Sequence, residues 1–395
     1  MAAAQVRPGI EVVVTDSSRL IAGRRIGLLT NHTGIDRRGR RDVDVLIAGG
    51  QRVTALFSPE HGFRGTEDRE GLADARDSAT GLPIYNLYRP SPNAVRTALD
   101  SVDVVLVDLQ DIGARYYTYI ATAASLMRHA ARAGKPIVVL DRPNPIGGVA
   151  VQGNVRLQPG DPDSALVGFL PVPMRHGMTL GELARMANDV LGLGADLVVV
   201  PAAGWKRGTP YDKTGLPWVK PSPNMPDLES ARHYPGLCLF EGTNLSVGRG
   251  TGFAFQVIGA PWLDPDAVLA RLVQPGDWRR VRGWPLVGVE VTRAVFTPRA
   301  PTDGKYDGEE LWGLRVHVTD ARQYDPTRLA VALLAAIRAT HPRAFQFRAS
   351  SFDRLAAGPE LRLALEAGRP AWEIWSGWEA DLARFRAARA KYLLY

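Results

Sequence analysis

Val53-Thr54-Ala55-Leu56-Phe57-Ser58-Pro59-Glu60-His61-Gly62-Phe63-Arg64-Gly65 decides the fold. Its first five residues are β-branched, apolar or aromatic and are bounded by turn formers, which predicts a buried strand. Pro59 has no N–H to give a sheet ladder, so the strand ends there. Gly62 and Gly65 allow the sharp turn that follows. A carboxylate (Glu60), an imidazole (His61) and a guanidinium (Arg64) then sit on a loop at the carboxyl end of a strand, where open α/β sheets bind ligands. A plain turn with a Glu60–Arg64 ion pair explains the nonapeptide equally well, so its neighbours must discriminate.

Upstream, residues 10–15 read as a short opening strand or a helix lead-in. Arg25–Thr30 is a strand ending on Asn31-His32-Thr33-Gly34, and 42–49 reads as a helix closed by Gly49-Gly50. Downstream, a polar loop runs to Asp77, then a short strand at 82–85 and a helix from about Ser91 to Leu99. Val102–Asp108 is a strongly buried strand, followed by Leu109-Gln110-Asp111-Ile112-Gly113-Ala114-Arg115-Tyr116-Tyr117-Thr118-Tyr119 and a helix that Gly134 stops. Residues 136–140 form a further strand, ending on Asp141-Arg142-Pro143-Asn144-Pro145. Thr179-Leu180-Gly181-Glu182 is a capping box opening another helix. A strand at 195–200 and a Pro/Gly/Trp-rich loop to about Pro226 complete the alternation. Strands and helices in this order imply βαβ units and a mostly parallel sheet. Beyond Phe240 the texture changes, with strands expected at 253–258, 286–296 and 311–318 and long helices at 326–340 and from about Trp375 to Leu393. The fold class is therefore α/β: a Rossmann-like, mostly parallel sheet domain over 1–230, followed by a smaller α+β domain over 231–395.

Size agrees, since 395 residues exceed one ordinary core. The formal charge of +7 is carried almost wholly by arginine. Arg37-Arg38-Gly39-Arg40-Arg41 is its only dense cluster, too short and too poor in aromatics for a nucleic-acid surface. A basic balance does suit anionic substrates. Cys238 is the only cysteine, so no intrachain disulfide forms. Residues 1–8 lack an apolar signal core, and no run approaches the eighteen or so apolar residues of a membrane span. The expectation from the chain as written is a cytoplasmic protein, or an extracytoplasmic one if the chain was trimmed.

Four strand ends carry polar groups that a buried strand does not need: His32, Glu60, Asp108–Asp111 and Asp141–Asn144. Parallel strands place all four on one edge. No Gly-x-Ser-x-Gly elbow exists, and Cys238 lies in the apolar run Leu237-Cys238-Leu239-Phe240. No His-Glu-x-x-His occurs, and His32 and His61 are single, so no cofactor or metal is called for, although a metal site built on His32, His61 and Asp108 or Asp111 stays open. No dinucleotide fingerprint follows the first strand, and glycine-rich 246–252 lacks the P-loop lysine. What remains is carboxylates (Glu60, Asp108, Asp111, Glu241), aromatics (Tyr116, Tyr117, Tyr119, Trp205) and amides (Gln110, Asn144, Asn224, Asn244). That inventory suits a sugar, and glycoside hydrolysis needs a carboxylic acid to protonate the leaving oxygen.

Leu29–Gly34, Phe57–Gly65, Asp108–Tyr119, Asp141–Pro145, Phe240-Glu241-Gly242-Thr243-Asn244-Leu245-Ser246 and the terminal Tyr392–Tyr395 resemble the NamZ-type exo-β-N-acetylmuramidases, and the match runs from about residue 25 to the C-terminus. The resemblance implies an active site in the cleft between the two domains and release of N-acetylmuramic acid (MurNAc) from the non-reducing end of peptidoglycan fragments. The partner is then a muropeptide or the MurNAc–GlcNAc disaccharide, with no nucleic acid and no membrane. Glu60 falls where the family's essential glutamate is expected. The expected general acid is accordingly Glu60, held by His61 or Tyr117, with Asp111 its favoured partner and Asp108 the second choice. Arg64, Arg115 or Arg249 is expected to hold the lactyl carboxylate of MurNAc. His32, Gln110, Tyr116, Asn144 and Asn224 supply further substrate contacts, and Glu241, Asn244 and Arg249 close the site from the second domain. Two other readings stand beside this one: a metal-assisted hydrolase using His32 and His61, and a muropeptide-binding module without catalysis.

Overall fold

A computed structural model describes residues 5–65, 74–88, 92–156, 158–273 and 285–395. The first half carries strands β1 (Arg25–Thr30), β2 (Arg52–Ser58), β3 (Ala75–Arg76), β4 (Pro83–Asn86), β5 (Val104–Asp108), β6 (Ile137–Leu140), β7 (Gln152–Val155), β8 (Pro173–Arg175) and β9 (Leu197–Val200). Seven of them form one sheet in the order β3-β4-β2-β1-β5-β6-β9. All pairings are parallel except β3 with β4. β7 and β8 make a separate antiparallel pair.

The chain leaves β1 for β2 and β4 on one side, then returns to β5 on the other. The order of the sheet therefore reverses at β1/β5, and it is outside the carboxyl ends at such a reversal that open α/β sheets bind ligands. Pleating sends alternate residues to opposite faces. Ile26, Leu28, Leu56 and Leu106 pack under α1 (Gly9–Thr15) and α2 (Asp42–Ala48), against Ile10, Val13, Val43 and Leu46. Leu29, Phe57, Val105, Val107 and Val139 face α3 (Pro92–Asp100), α4 (Tyr119–Arg132) and α5 (Leu180–Val190). Residues 10–15 thus belong to a helix. A side chain at Gly9 would strike the β6 backbone, its Cβ 2.4 Å from the Leu140 carbonyl carbon, so glycine lets α1 settle on the sheet. The capping box of α5 forms as expected: Glu182 N donates to Thr179 Oγ1 at 3.3 Å and Thr179 N to Glu182 Oε2 at 3.0 Å.

The second half opens with α6 (Leu228–Leu237) and a 3-10 turn (Cys238–Gly242). β10 (Val257–Ala260), β11 (Val289–Phe296) and β12 (Leu311–Val318) form an antiparallel sheet in the order β10-β12-β11. α7 (Pro265–Val273) packs on this sheet, α8 (Pro326–Thr340) packs on α6 and α7, and α9 (Ala349–Ala356) packs on the 3-10 turn; three further helices follow at Glu360–Glu366, Ala371–Ser376 and Glu379–Arg389. Two expectations change here. The strand expected from residue 253 starts only at Val257, because Phe255 at φ +62° turns back to Val247 O at 2.7 Å. The long helix from Trp375 is broken, since Gly377 closes one helix on Glu373 O at 3.2 Å and the next begins at Glu379. The polar loop of 66–73 and the start of the helix expected at Ser91 lie outside the described residues. Among the described residues no helix is long and apolar enough to cross a membrane.

Candidate active site

The loop leaving β2 is wound tightly. Gly62 N bonds Pro59 O at 3.1 Å and Gly65 N bonds Gly62 O at 3.2 Å, with His61 at φ +68° and Gly65 also at φ +68°. Gly65 lies on the His32 ring: a Cβ there would sit 1.8 Å from the ring's Cε1. His32 Nε2 lies 2.5 Å from Lys220 O, so that nitrogen carries the proton. Nδ1 is buried without a partner among the described residues, and desolvation lowers the ring's pKa. His32 is thus a neutral wedge between the β2 loop and the 220 segment.

Glu60 is held by Thr118, whose Oγ1 donates a short hydrogen bond to Glu60 Oε2. Thr118 occupies the N-cap of α4, yet its hydroxyl caps nothing in the helix. It is turned to the carboxylate instead. Above Glu60 lies a cavity of about 190 Å³ between the two halves. The first half lines it with Glu60, His61, Tyr116, Tyr117, Thr118, Val167, Ser222, Asn224 and Met225. The second contributes Tyr234, Cys238, Glu241, Arg249, Phe255, Arg354 and Leu355. The rings form an edge-to-face series: Tyr117 on Tyr234 at 6.4 Å, Tyr234 on Phe255 at 4.7 Å, and Tyr116 on Tyr234 at 6.0 Å. Tyr117's hydroxyl is buried with no hydrogen-bond partner among the described residues, and desolvation raises its pKa well above the usual range.

Glu241 is the second carboxylate of this cavity. Its Oε1 lies 2.6 Å from Arg249, and its Oε2 receives Cys238 Sγ at 3.5 Å. Buried Lys305 fixes the turn beneath it, donating to Glu241 O at 3.1 Å and Leu245 O at 2.9 Å, and desolvation lowers its pKa to about 8. The guanidinium of Arg354, exposed on α9, makes no ion pair or hydrogen bond among the described residues.

The other sequence candidates lie outside the cavity lining, each for a visible reason. Asp108 is fully buried and bidentate with Arg142, at 2.5 and 2.9 Å. Gln110 donates to Asp111 O at 2.7 Å and Pro143 O at 3.0 Å. Asp111 Oδ1 accepts from Gly113 N at 2.6 Å and lies 3.6 Å from His176 Nε2, while Oδ2 is buried and unpartnered. Desolvation pushes the pKa of Asp111 up to about 7. Asn144 bonds Met178 O at 2.9 Å and Ile146 N at 3.1 Å. The ends of β5 and β6 do meet on one edge, but their polar groups knit those loops to each other. Arg64 reaches Ser78 Oγ at 2.7 Å on the exposed side. Arg115 is buried, bonding Asn154 O and Leu355 O, both at 2.8 Å. Asn244 folds onto Ala344 O at 2.8 Å and Gln346 N at 2.9 Å.

Of the sequence candidates, the structure brings together Glu60, His61, Tyr116, Tyr117, Asn224, Glu241 and Arg249. Sequence reasoning missed Thr118, Ser222, Tyr234, Phe255 and Arg354. Thr118 lies within Asp108–Tyr119, where a hydroxyl at a helix start is itself a signal. Among the described residues, no three His, Cys, Asp or Glu side chains are grouped to hold a metal ion.

The N-terminal domain of exo-beta-N-acetylmuramidase NamZ matches residues 26–229, and the C-terminal domain of the same family matches 232–395. The chain is 38% identical over 394 residues to the peptidoglycan beta-N-acetylmuramidase NamZ of Bacillus subtilis, covering 99% of this chain and 92% of that protein. Crystal structures of two DUF1343 family proteins from Bacteroides fragilis are also similar. One has a TM-score of 0.85 at 32% identity, the other 0.75 at 31%, and each alignment covers 99% of both chains.

Proposed function

The chain belongs to the NamZ exo-beta-N-acetylmuramidase family, and from that premise we propose that it is a glycoside hydrolase releasing N-acetylmuramic acid from the non-reducing end of peptidoglycan fragments, with Glu60 as its general acid. One observation carries the reading: Glu60 and Glu241 face a single aromatic-walled cavity from opposite halves of the molecule. An alkoxide is a poor leaving group at neutral pH, so bond cleavage requires a proton donor. Thr118 occupies Oε2 of Glu60, which leaves the acid proton to Oε1. Glu241 takes the second role in place of Asp111: it directs the attacking water or the substrate's 2-acetamido group at the anomeric carbon. Tyr117, Tyr234 and Phe255 shield the sugar face from solvent.

Glu60→Gln keeps the shape of the side chain and its bond to Thr118 but has no proton to donate. We expect it to lose about 100- to 10,000-fold in kcat on the MurNAc–GlcNAc disaccharide, the range of general acid catalysis. The loss should be smaller on a 4-nitrophenyl glycoside, whose leaving group needs little protonation. Near wild-type rates on both substrates would remove Glu60 from the role. Glu241→Gln should slow both substrates alike, because its step does not depend on the leaving group.

A further inference from the structure

N-Acetylmuramic acid differs from N-acetylglucosamine by a lactyl ether that ends in a carboxylate. An enzyme that discriminates between them needs a cation at that position, and a guanidinium offers two parallel donors for it. The three arginines that the sequence motifs supply are committed elsewhere. Arg64 lies on the outer side of its loop against Ser78. Arg115 is buried in a backbone clamp. Arg249 does line the cavity, but Glu241 lies 2.6 Å away and offsets its charge.

Arg354 remains. It lines the same cavity as Glu60, with no acidic partner among the described residues. Its backbone is fixed while its head is exposed. Phe352 is fully buried and Leu355 nearly so. Gly242 lies so close beneath α9 that a Cβ would sit 2.5 Å from Phe352 Cα. Arg115 and Asn154 tie down the last turn through Leu355 O at 2.8 Å and Ala356 O at 2.6 Å. The side chain is therefore a guanidinium on a rigid base, presented across the cleft from the acid.

We propose that Arg354 is the specificity residue that binds the lactyl carboxylate of the terminal N-acetylmuramic acid, an assignment that rests on the muramidase reading above. The carboxylate completes the charge balance of the cavity, because Glu241 already has Arg249 and Glu60 is held by Thr118. Binding it ties the substrate to the second domain while the glycosidic oxygen faces Glu60 on the first.

The test compares 4-nitrophenyl β-glycosides of MurNAc and GlcNAc on the wild type, Arg354→Gln and Arg354→Lys. For Arg354→Gln the ratio of kcat/KM for the two glycosides should fall about 10- to 100-fold, the worth of a charged hydrogen-bonded pair. Most of that change should appear in KM, and Arg354→Lys should restore part of it. A ratio unchanged in both variants overturns the assignment, and so does an equal loss on both glycosides, which a merely structural role would give. Calorimetric binding of free MurNAc and free GlcNAc to Glu60→Gln, with and without Arg354→Gln, gives the same ratio without turnover. If the wild type cleaves neither glycoside, the muramidase reading fails. The binding ratio then decides Arg354 alone.

Discussion

Asp111 and His176 form a buried pair whose two members respond to pH in opposite directions. Desolvation raises Asp111 from its ordinary 3.8 to about 7, so the folded chain keeps a proton that the unfolded chain has released. That stabilises the fold fully below about pH 3.8 and is lost as pH rises through 7. His176 is pushed down to about 3 by desolvation and by the Arg389 and Arg175 guanidiniums. Its contribution is present above pH 6.5 and is lost as pH falls toward 3. Asp141, raised by burial to about 6, follows Asp111. Asp111→Asn keeps an oxygen for Gly113 N and removes only the titration. The variant should therefore gain stability relative to wild type between pH 4 and 8, on the order of a few kcal/mol at the upper end. Denaturant midpoints at both pH values would show it, and a constant difference would mean that Asp111 is already ionised at pH 4. Gly65 makes a steric prediction of the same scale. Gly65→Ala forces a methyl onto the His32 ring at a left-handed φ, costing about 1–3 kcal/mol. Because this contact sets the Glu60 loop, kcat should fall further than the thermal midpoint implies.

Among the elements, β2 and its loop were legible because the signals are local: an apolar run, a proline that ends it, and glycines where the backbone turns. The same logic found the α5 capping box and the four strand ends on one edge. It did not reveal which strand end meets the cleft, because that depends on long-range partners. Asp108 looked available until Arg142, 34 residues on, took both of its oxygens. Arg354 reaches the cavity from a helix that carries no motif, and Asn244 is drawn off by a segment about 100 residues away. The Asp108–Arg142 pair also makes a prediction. Asp108→Asn removes the bidentate carboxylate from a buried guanidinium and leaves it only the more distant Asp42, which costs about 3–5 kcal/mol. Urea unfolding should show that loss, while Asp108→Leu with Arg142→Met should recover most of it. An equal loss in the double variant would mean that the pair does more than neutralise itself.

Across the whole molecule, the two halves share one core. A single cluster of buried apolar residues runs from Leu29 on β1 through Tyr234's neighbours to Tyr392 near the end of the chain. The C-terminal segment returns to the carboxyl edge of the first sheet. Arg389 donates to His176 O at 3.0 Å and Gly177 O at 2.8 Å. Tyr395 donates to Asp141 Oδ2 at 2.7 Å and accepts from Ala202 N at 2.8 Å. Arg115 makes the reverse tie, from the β5 loop to α9. Neither half buries its inner surface without the other, so the family's two matched segments should unfold together. Calorimetry should give a single transition whose calorimetric and van't Hoff enthalpies agree. Arg389→Ala removes donors from carbonyls that lie in the first half, and it should lower the midpoint of that whole transition. If the variant instead splits the transition, with only the C-terminal half melting early, the halves are separable domains and the cavity at Glu60 is assembled by docking.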